Sequence, residues 1–186
     1  MNSTKLQIES QLKLLSSQSG LDIDTPCQWV VENLNDPLLF FENLAIFVGR
    51  DAVLYIECLD IVPEASAFYF GQQSPHREIV ARDLVFPIPI IYHLRFSPEL
   101  VVGMKRLASK FSIDSLFSHI KCYKDKQIVF TFHDAFNGYL RIADNVSEVN
   151  VGKFCNALKC GYALEKTVPR DLQQLQKILS SLQGQQ

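Results

Sequence analysis

The sequence predicts an α+β fold: a single domain over residues 1–186, with a largely antiparallel sheet flanked by helices and with helical N- and C-termini. Apolar residues repeat at helical spacing near both ends of the chain, while alternating, strand-like segments dominate the middle. Helical and strand-like segments do not alternate regularly. Because a parallel sheet needs a crossover helix between successive strands, an antiparallel sheet is the expected arrangement.

Residues 1–36 are predicted to form a pair of helices. The first covers residues 4–17, where Ile8 and Leu12 belong to an apolar stripe with helical spacing. A second helix is expected to start at Thr25, which could cap the first turn, with Pro26 at a position where a missing N–H group costs nothing. Its buried side would consist of Trp29, Val30, Val31 and Leu34.

Most of the sheet is expected between residues 37 and 96. Leu38–Val48 could be a short helix capped by Asp36, but we favour a helical turn at Pro37–Glu42 and then a strand at Leu44–Val48. Further strands are predicted at Ala52–Ile61, Ala67–Phe70 and Ile79–Val85. A further strand at Ile88–Phe96 should lie at a sheet edge, or begin only at Ile90, because Pro87 and Pro89 cannot donate to a ladder. Alternation places Tyr92 and Leu94 on one of its faces, and His93 and Arg95 on the other.

Four helices are expected in the second half of the chain. Ser97, Pro98 and Glu99 combine a capping hydroxyl, a first-turn proline and an acid, which together mark a helix start. Ser112 is expected to cap a short helix, and Ser147 a longer one that reaches about residue 162. The last helix, at residues 169–186, is predicted to be peripheral.

The segment Gln127–Ile142 is predicted to form a hairpin, because Asn137-Gly138 separates two runs of alternating apolar residues. Pairing Phe130 with Ile142 and Phe132 with Leu140 collects all four apolar side chains on one face. A tight turn at Asn137-Gly138 alone would instead mix apolar and charged residues on each face. Burial favours the first register.

The opposite face of this hairpin would carry Thr131, His133, Tyr139 and Arg141. If the strand with His93 and Arg95 ran close by, two arginines and two imidazoles would form a candidate site for a small anionic molecule. The competing interpretation is a solvated outer face, which is normal for an antiparallel sheet.

Composition and charge narrow the functional classes. The net charge of −2 does not favour nucleic-acid binding. A local basic cluster between Lys105 and Lys126 could bind an anion or nucleic acid, but such runs on helices are usually solvated faces. No secretory signal or membrane-spanning stretch is expected. Five scattered cysteines without a C-x-x-C spacing indicate reduced core thiols, and so a cytoplasmic protein.

No standard catalytic, nucleotide-binding or metal-binding motif occurs, so no catalytic residue, metal ligand or cofactor is predicted. The last helix repeats leucines at alternating spacings of three and four residues. This seam could pack on the domain itself, or it could form a homodimer or dock a protein partner. Its residues are Leu172, Leu175, Leu179 and Leu182.

We therefore expect a non-enzymatic cytoplasmic binding or regulatory module that acts through a protein partner. The alternative is an enzyme or ligand-binding domain for a small anionic molecule, built on the polar sheet face. The absence of catalytic motifs is weak evidence against the enzyme hypothesis, because active sites are often assembled from residues that are far apart in sequence.

Overall fold

The computed structural model describes Ile23 and residues 25–75 and 89–166. They form seven strands and four helices. The strands are β1 (Cys27–Glu32), β2 (Val53–Cys58), β3 (Ile90–Arg95), β4 (His119–Lys124), β5 (Gln127–Phe132), β6 (Leu140–Ala143) and β7 (Gly161–Lys166). The helices are α1 (Pro37–Asn43), α2 (Pro63–Gly71), α3 (Pro98–Lys110) and α4 (Glu148–Leu158), and single 3₁₀ turns lie at Leu44–Ile46 and Ile113–Ser115.

The seven strands form one antiparallel sheet in the order β3-β2-β4-β5-β6-β1-β7. Strand β1, from the beginning of the described chain, lies between β6 and β7 from its end. The fold is therefore the predicted α+β class, and long-range pairing ties the two ends of the described chain together.

One face of the sheet packs against the helices and forms the main core. Phe40 of α1 makes ring contacts with Phe130, Phe132 and Phe154, at centroid distances of 6.1, 5.5 and 6.2 Å. The contacts with Phe130 and Phe154 are edge-on and the contact with Phe132 is tilted. Edge-on aromatic pairs add about 0.5–1.5 kcal/mol each to the burial of their apolar area. All four of these phenylalanines are fully buried.

The predicted hairpin is confirmed in its register. Phe130 pairs with Ile142, Thr131 with Arg141, and Phe132 with Leu140. The role of Gly138 is not to adopt a left-handed conformation, since positive φ values in this loop occur at Asp134 and Phe136. A Cβ atom at Gly138 would lie 2.4 Å from the His133 carbonyl oxygen, so close backbone approach requires glycine there.

The strand at Ala52–Ile61 and the helix that starts at Ser97 are also confirmed, as β2 and α3. The Ser97 hydroxyl accepts a 3.1 Å hydrogen bond from the Leu100 N–H group. Strand β3 begins at Ile90 and lies at the sheet edge, as the prolines before it predict.

The predicted helix after Thr25 is wrong, because this segment is strand β1. Four consecutive residues, Gln28 to Val31, are buried, as expected for a strand with neighbours on both sides and both faces covered. The β-branched Val30 and Val31 and the aromatic Trp29 suit such a strand. The Thr25 hydroxyl donates to the Cys27 carbonyl oxygen at 2.6 Å instead of capping a helix.

Two predicted strands are also wrong. Residues 67–70 belong to α2, which starts with Pro63 in its first turn. The helical turn at residues 37–42 is confirmed as α1, with the Asp36 carboxylate accepting from the Leu39 N–H group at 3.0 Å. However, the chain continues into a 3₁₀ turn at Leu44–Ile46 rather than a strand at residues 44–48, because the Phe47 N–H group donates to the Leu44 carbonyl oxygen at 3.2 Å.

The helices predicted after Ser112 and Ser147 are both shorter than expected, and each is followed by a strand. The short helix after Ser112 is only a 3₁₀ turn, and β4 begins at His119. Helix α4 starts at the Ser147 cap as predicted but ends at Leu158, because Lys159 adopts a left-handed conformation with φ of 56°. The chain then enters β7, which the sequence did not reveal.

The helix predicted at residues 4–17, the strand at 79–85 and the helix at 169–186 lie outside the described residues. Among the residues that the structure describes, no helix is long and apolar enough to cross a membrane.

Candidate functional site

The face of the sheet that turns away from the helices carries a continuous row of side chains. In this row, Tyr55 lies between His93 and Lys121, and Lys121 pairs with Thr131. Thr131 in turn pairs with Arg141. Three of the predicted ligand-binding residues, His93, Thr131 and Arg141, therefore share one face, since directly paired residues of an antiparallel ladder point to the same side.

These residues do not converge on one point. Strand β3, with His93 and Arg95, is separated from Thr131 by β2 and β4. Three strand spacings correspond to about 14 Å, and Arg141 is one spacing further away. His93 is buried, and its Nδ1 atom forms a 2.9 Å hydrogen bond with the Tyr123 hydroxyl. The expected cluster of two histidines and two arginines is therefore not formed.

The other two predicted ligand-binding residues, His133 and Tyr139, lie in the hairpin loop beyond the paired residues of β5 and β6. Tyr139 is exposed, and His133 stacks edge-on against His119 with ring centroids 5.2 Å apart. The Asp134 N–H group donates to Nδ1 of His119 at 2.9 Å, which assigns the proton of a neutral His119 ring to Nε2. Asp134 thus orients His119 of the adjacent strand rather than its own neighbour.

A buried ion pair lies at the centre of the row. Nζ of Lys121 is 3.7 Å from a carboxylate oxygen of Glu57, and their side chains are only 8% and 16% exposed. The same ammonium group lies 5.7 Å from the centroid of the Tyr55 ring. Alternation between apolar and polar residues in β4 predicts a solvated lysine here, so sequence reasoning missed this pair.

Tyr55 is the third member of this group. Its hydroxyl is buried, and among the described residues no group meets hydrogen-bond geometry with it. Burial, followed by the negative charge of Glu57, raises the pKa of Tyr55 well above its ordinary value. Tyr55 therefore remains a neutral phenol beside the ion pair.

The described ranges contain no group of three or more His, Cys, Asp or Glu side chains able to hold a metal ion. None of the five cysteines, which all lie in these ranges, is bridged. The Cys155 thiol lowers the pKa of Cys160 by hydrogen bonding, and the same contact raises the pKa of Cys155.

A second surface feature is the outer edge of the sheet at β7. All six residues of this strand are exposed, whereas β1 on its inner side is mostly buried. No described residue pairs with its outer N–H and C=O groups. Its apolar side chains Tyr162 and Leu164 are 37% and 52% exposed, and the Tyr162 ring packs edge-on against Trp29 at 5.8 Å.

The other edge of the sheet is protected. Leu94 of β3 forms a bridge with Gln73, and the Ser74 N–H group donates to the His93 carbonyl oxygen at 2.7 Å. The Arg95 N–H group donates to the Gln72 carbonyl oxygen at 3.2 Å. A short segment after α2 thus covers β3, and β7 is the edge that stays open within the described chain.

A shallow hollow of about 350 Å³ lies between α2 and α3, where Phe68, Val102 and Gly103 contribute to a mostly apolar lining.

Comparison of the chain with protein-family models, with curated proteins and with solved structures gave no match. The functional argument therefore depends on the geometry of the sheet and its open edge.

Proposed function

We propose that this protein is a non-enzymatic cytoplasmic binding or regulatory module that engages a protein partner along the open edge of β7. The observation that supports this proposal is the exposure of all six β7 residues beside a buried neighbouring strand. An unpaired edge offers backbone donors and acceptors to an added strand, and alternate side chains supply specificity.

An apolar strip accompanies this edge and supports the proposal. Tyr162 and Leu164 lie on the same side of β7, because side chains two residues apart share a face. Val149 extends the strip, since it is 65% exposed and lies one helical turn before Gly152. A Cβ atom at Gly152 would lie 3.2 Å from the Tyr162 hydroxyl oxygen, so this side of α4 borders the edge.

The earlier candidate surfaces contribute less. The leucine seam at Leu172, Leu175, Leu179 and Leu182 lies outside the described residues and remains a second proposed route to a protein partner or homodimer. A small anionic ligand is less well supported, because the cationic side chains are spread across the sheet and Lys121 already faces Glu57.

Site-specific photo-crosslinking in cells tests the proposed edge. A photoreactive phenylalanine analogue at position 162 preserves an aromatic side chain at the edge, and the same analogue at position 139 replaces another exposed tyrosine. We expect covalent protein adducts from position 162 and not from position 139. Adding Leu164→Lys should strongly reduce the adducts from position 162. Absence of adducts at position 162, or equal adducts at both positions, would contradict the proposal.

A further inference from the structure

We infer that the partner at the β7 edge is a second copy of this chain, joined by two-fold antiparallel pairing of β7 with β7. This inference rests on the proposed function, because it names the occupant of the same edge. In such a dimer the two seven-stranded sheets would continue into one another across the axis. A two-fold interface places the same patch on both subunits, so the strand must be complementary to itself.

Geometry limits the pairings that are allowed. Directly opposite residues of an antiparallel pair point to the same face. A two-fold axis perpendicular to the sheet must therefore lie between the two copies of one β7 residue, which then face each other. An axis at Glu165 would place two carboxylates opposite one another, which is destabilising. An axis at Ala163 would set Gly161, which has no side chain, opposite Glu165.

An axis at Leu164 satisfies the strand chemistry best. The two Leu164 side chains then meet at the centre, and each Tyr162 ring lies opposite the Lys166 ammonium group of the partner. A lysine over an aromatic face is a favourable contact. Ala163 opposes Glu165, so this register contains no directly opposed pair of like charges.

The size of the contact predicts a reversible dimer. Stable protein interfaces bury about 800 Å² per partner, which is more than one pair of short strands provides. We therefore expect monomer and dimer to exchange with protein concentration. The protected edge at β3 would prevent further growth at the outer ends of the joined sheet.

Sedimentation velocity of the full-length protein over a wide concentration range tests the association. We expect Leu164→Lys to weaken the dimer by about 100-fold, because the change removes two central apolar contacts and introduces like charges. Leu164→Glu should act in the same way, and an equimolar mixture of the two variants should recover the dimer. Val102→Lys, at an exposed apolar position on α3, should leave association unchanged.

Disulfide trapping tests the axis itself. Opposed residues of an antiparallel pair have Cα atoms about 4.5–5.5 Å apart, within the range that a disulfide spans, whereas diagonal neighbours are about 7–8 Å apart. Leu164→Cys should therefore form an intermolecular disulfide much faster than Ala163→Cys. Faster crosslinking at position 163 would overturn the assignment.

The two proposals fail in different ways. A wild-type protein that stays monomeric at all concentrations, together with crosslinks from position 162 to another protein in cells, would overturn the dimer and leave the proposed function standing. Absence of both would overturn both. Recovery of the dimer in the mixed Leu164 variants would support both.

Discussion

At the scale of single residues, the unexpected feature is an ion pair on a face that its sequence pattern marks as solvent-exposed. Lys121 alternates with the buried Ile120 and Cys122, a pattern that normally means an outward, hydrated lysine. The pattern correctly predicts which face Lys121 occupies. Burial on this face depends on tertiary packing, and a period of two residues carries no information about that packing.

The buried pair makes a prediction about stability. Glu57→Gln would leave the Lys121 ammonium group buried without its counter-charge, and we expect a loss of about 3 kcal/mol in the free energy of unfolding. Lys121→Met should cost less, because the remaining Glu57 is more exposed. The double variant should lose less than the sum of the two single losses. Urea unfolding of all four proteins measures this coupling.

Lys124 provides the matched control, since it forms an exposed pair with Asp51 at 3.8 Å on the same strand. Lys124→Met should change the free energy of unfolding by no more than about 0.5 kcal/mol. Strictly additive losses for Glu57 and Lys121, or an equal loss at Lys124, would show that the buried pair has no special role.

Cysteine reactivity gives a second prediction at this scale. Because the pKa of Cys160 is lowered by the Cys155 thiol, more of Cys160 is thiolate at neutral pH than for an ordinary thiol. Burial, the larger effect, and Glu57 raise the pKa of Cys58 to about 12, and burial also raises that of Cys122. We expect iodoacetamide at pH 7.5 to label Cys160 at least about tenfold faster than these two buried thiols.

Peptide mass spectrometry of the native protein at several times would give these rates. Cys155→Ala removes the thiol that lowers the pKa of Cys160, but it keeps the Cys155 carbonyl oxygen, which accepts a hydrogen bond from Cys160 Sγ at 3.7 Å. The substitution should therefore raise the pKa of Cys160 and slow its labelling at pH 7.5. The labelling rates of Cys160 in the wild type and in Cys155→Ala should converge as the pH rises toward 9.5, where an ordinary thiol is also ionised. An unchanged rate at Cys160 in a folded Cys155→Ala protein would contradict this account.

At the scale of elements, the sequence was most informative where burial forces segregation. Phe130, Phe132, Leu140 and Ile142 reach one face in only one register, so the hairpin could be derived. Local signals failed where pairing decided the outcome. Thr25-Pro26 resembles a helix start, but the next residues pair with β6 on one side and β7 on the other.

Whether the predicted ligand-binding residues form a site also depends on strand pairing. Alternation placed His93, Thr131 and Arg141 on one face, which the ladders bear out. The order of the strands decides whether they meet, and no local pattern encodes that β2 and β4 lie between β3 and β5. The open edge at β7 was missed because Lys159 ends α4 with a left-handed residue that is not glycine.

The hairpin loop yields a prediction for this scale. Gly138→Ala would bring a Cβ atom within 2.4 Å of a backbone oxygen that cannot rotate away, so the loop must shift. That shift should weaken the hydrogen bond of 2.8 Å from the Gly138 N–H group to the Asp134 carbonyl oxygen. We expect the free energy of unfolding to fall by about 1–3 kcal/mol.

Gly71→Ala is the matched control, because a Cβ atom there has nothing within 4 Å. Alanine near the end of α2 should leave the free energy of unfolding unchanged or raise it by up to about 1 kcal/mol. Equal urea midpoints for the two variants would show that the close approach at Gly138 does not constrain the hairpin.

At the scale of the whole molecule, the position of β1 makes the described fold one unit. It pairs with β6 and β7 across more than a hundred residues of intervening chain, for example Trp29 with Ile142 and with Leu164. Such long-range pairs require loop closure before they contribute stability, so refolding in the range of milliseconds to seconds is expected. Stopped-flow refolding followed by fluorescence measures this rate.

The single tryptophan of the chain makes cooperativity measurable. Trp29 lies in β1, where its indole N–H group donates to the Val146 carbonyl oxygen at 3.1 Å, whereas Leu94 is fully buried in β3 at the opposite edge. Leu94→Ala should cost about 2–5 kcal/mol through the cavity it leaves. We expect this change to shift the urea midpoint of Trp29 fluorescence by the same amount as the midpoint of far-UV circular dichroism.

The two possible outcomes differ clearly. If the sheet unfolds as one unit, a cavity near β3 lowers the urea midpoint of Trp29 fluorescence in β1, even though four strands lie between β3 and β1. If the segment with β1 and the C-terminal strands formed an independent unit, Trp29 fluorescence would keep its wild-type midpoint while circular dichroism shifted.

A shared shift would also mean that substitutions at the β7 edge report on association only when the urea midpoint of the variant is unchanged. For that reason, Leu164 is a suitable test position: its side chain is half exposed, and its replacement creates no cavity in the core.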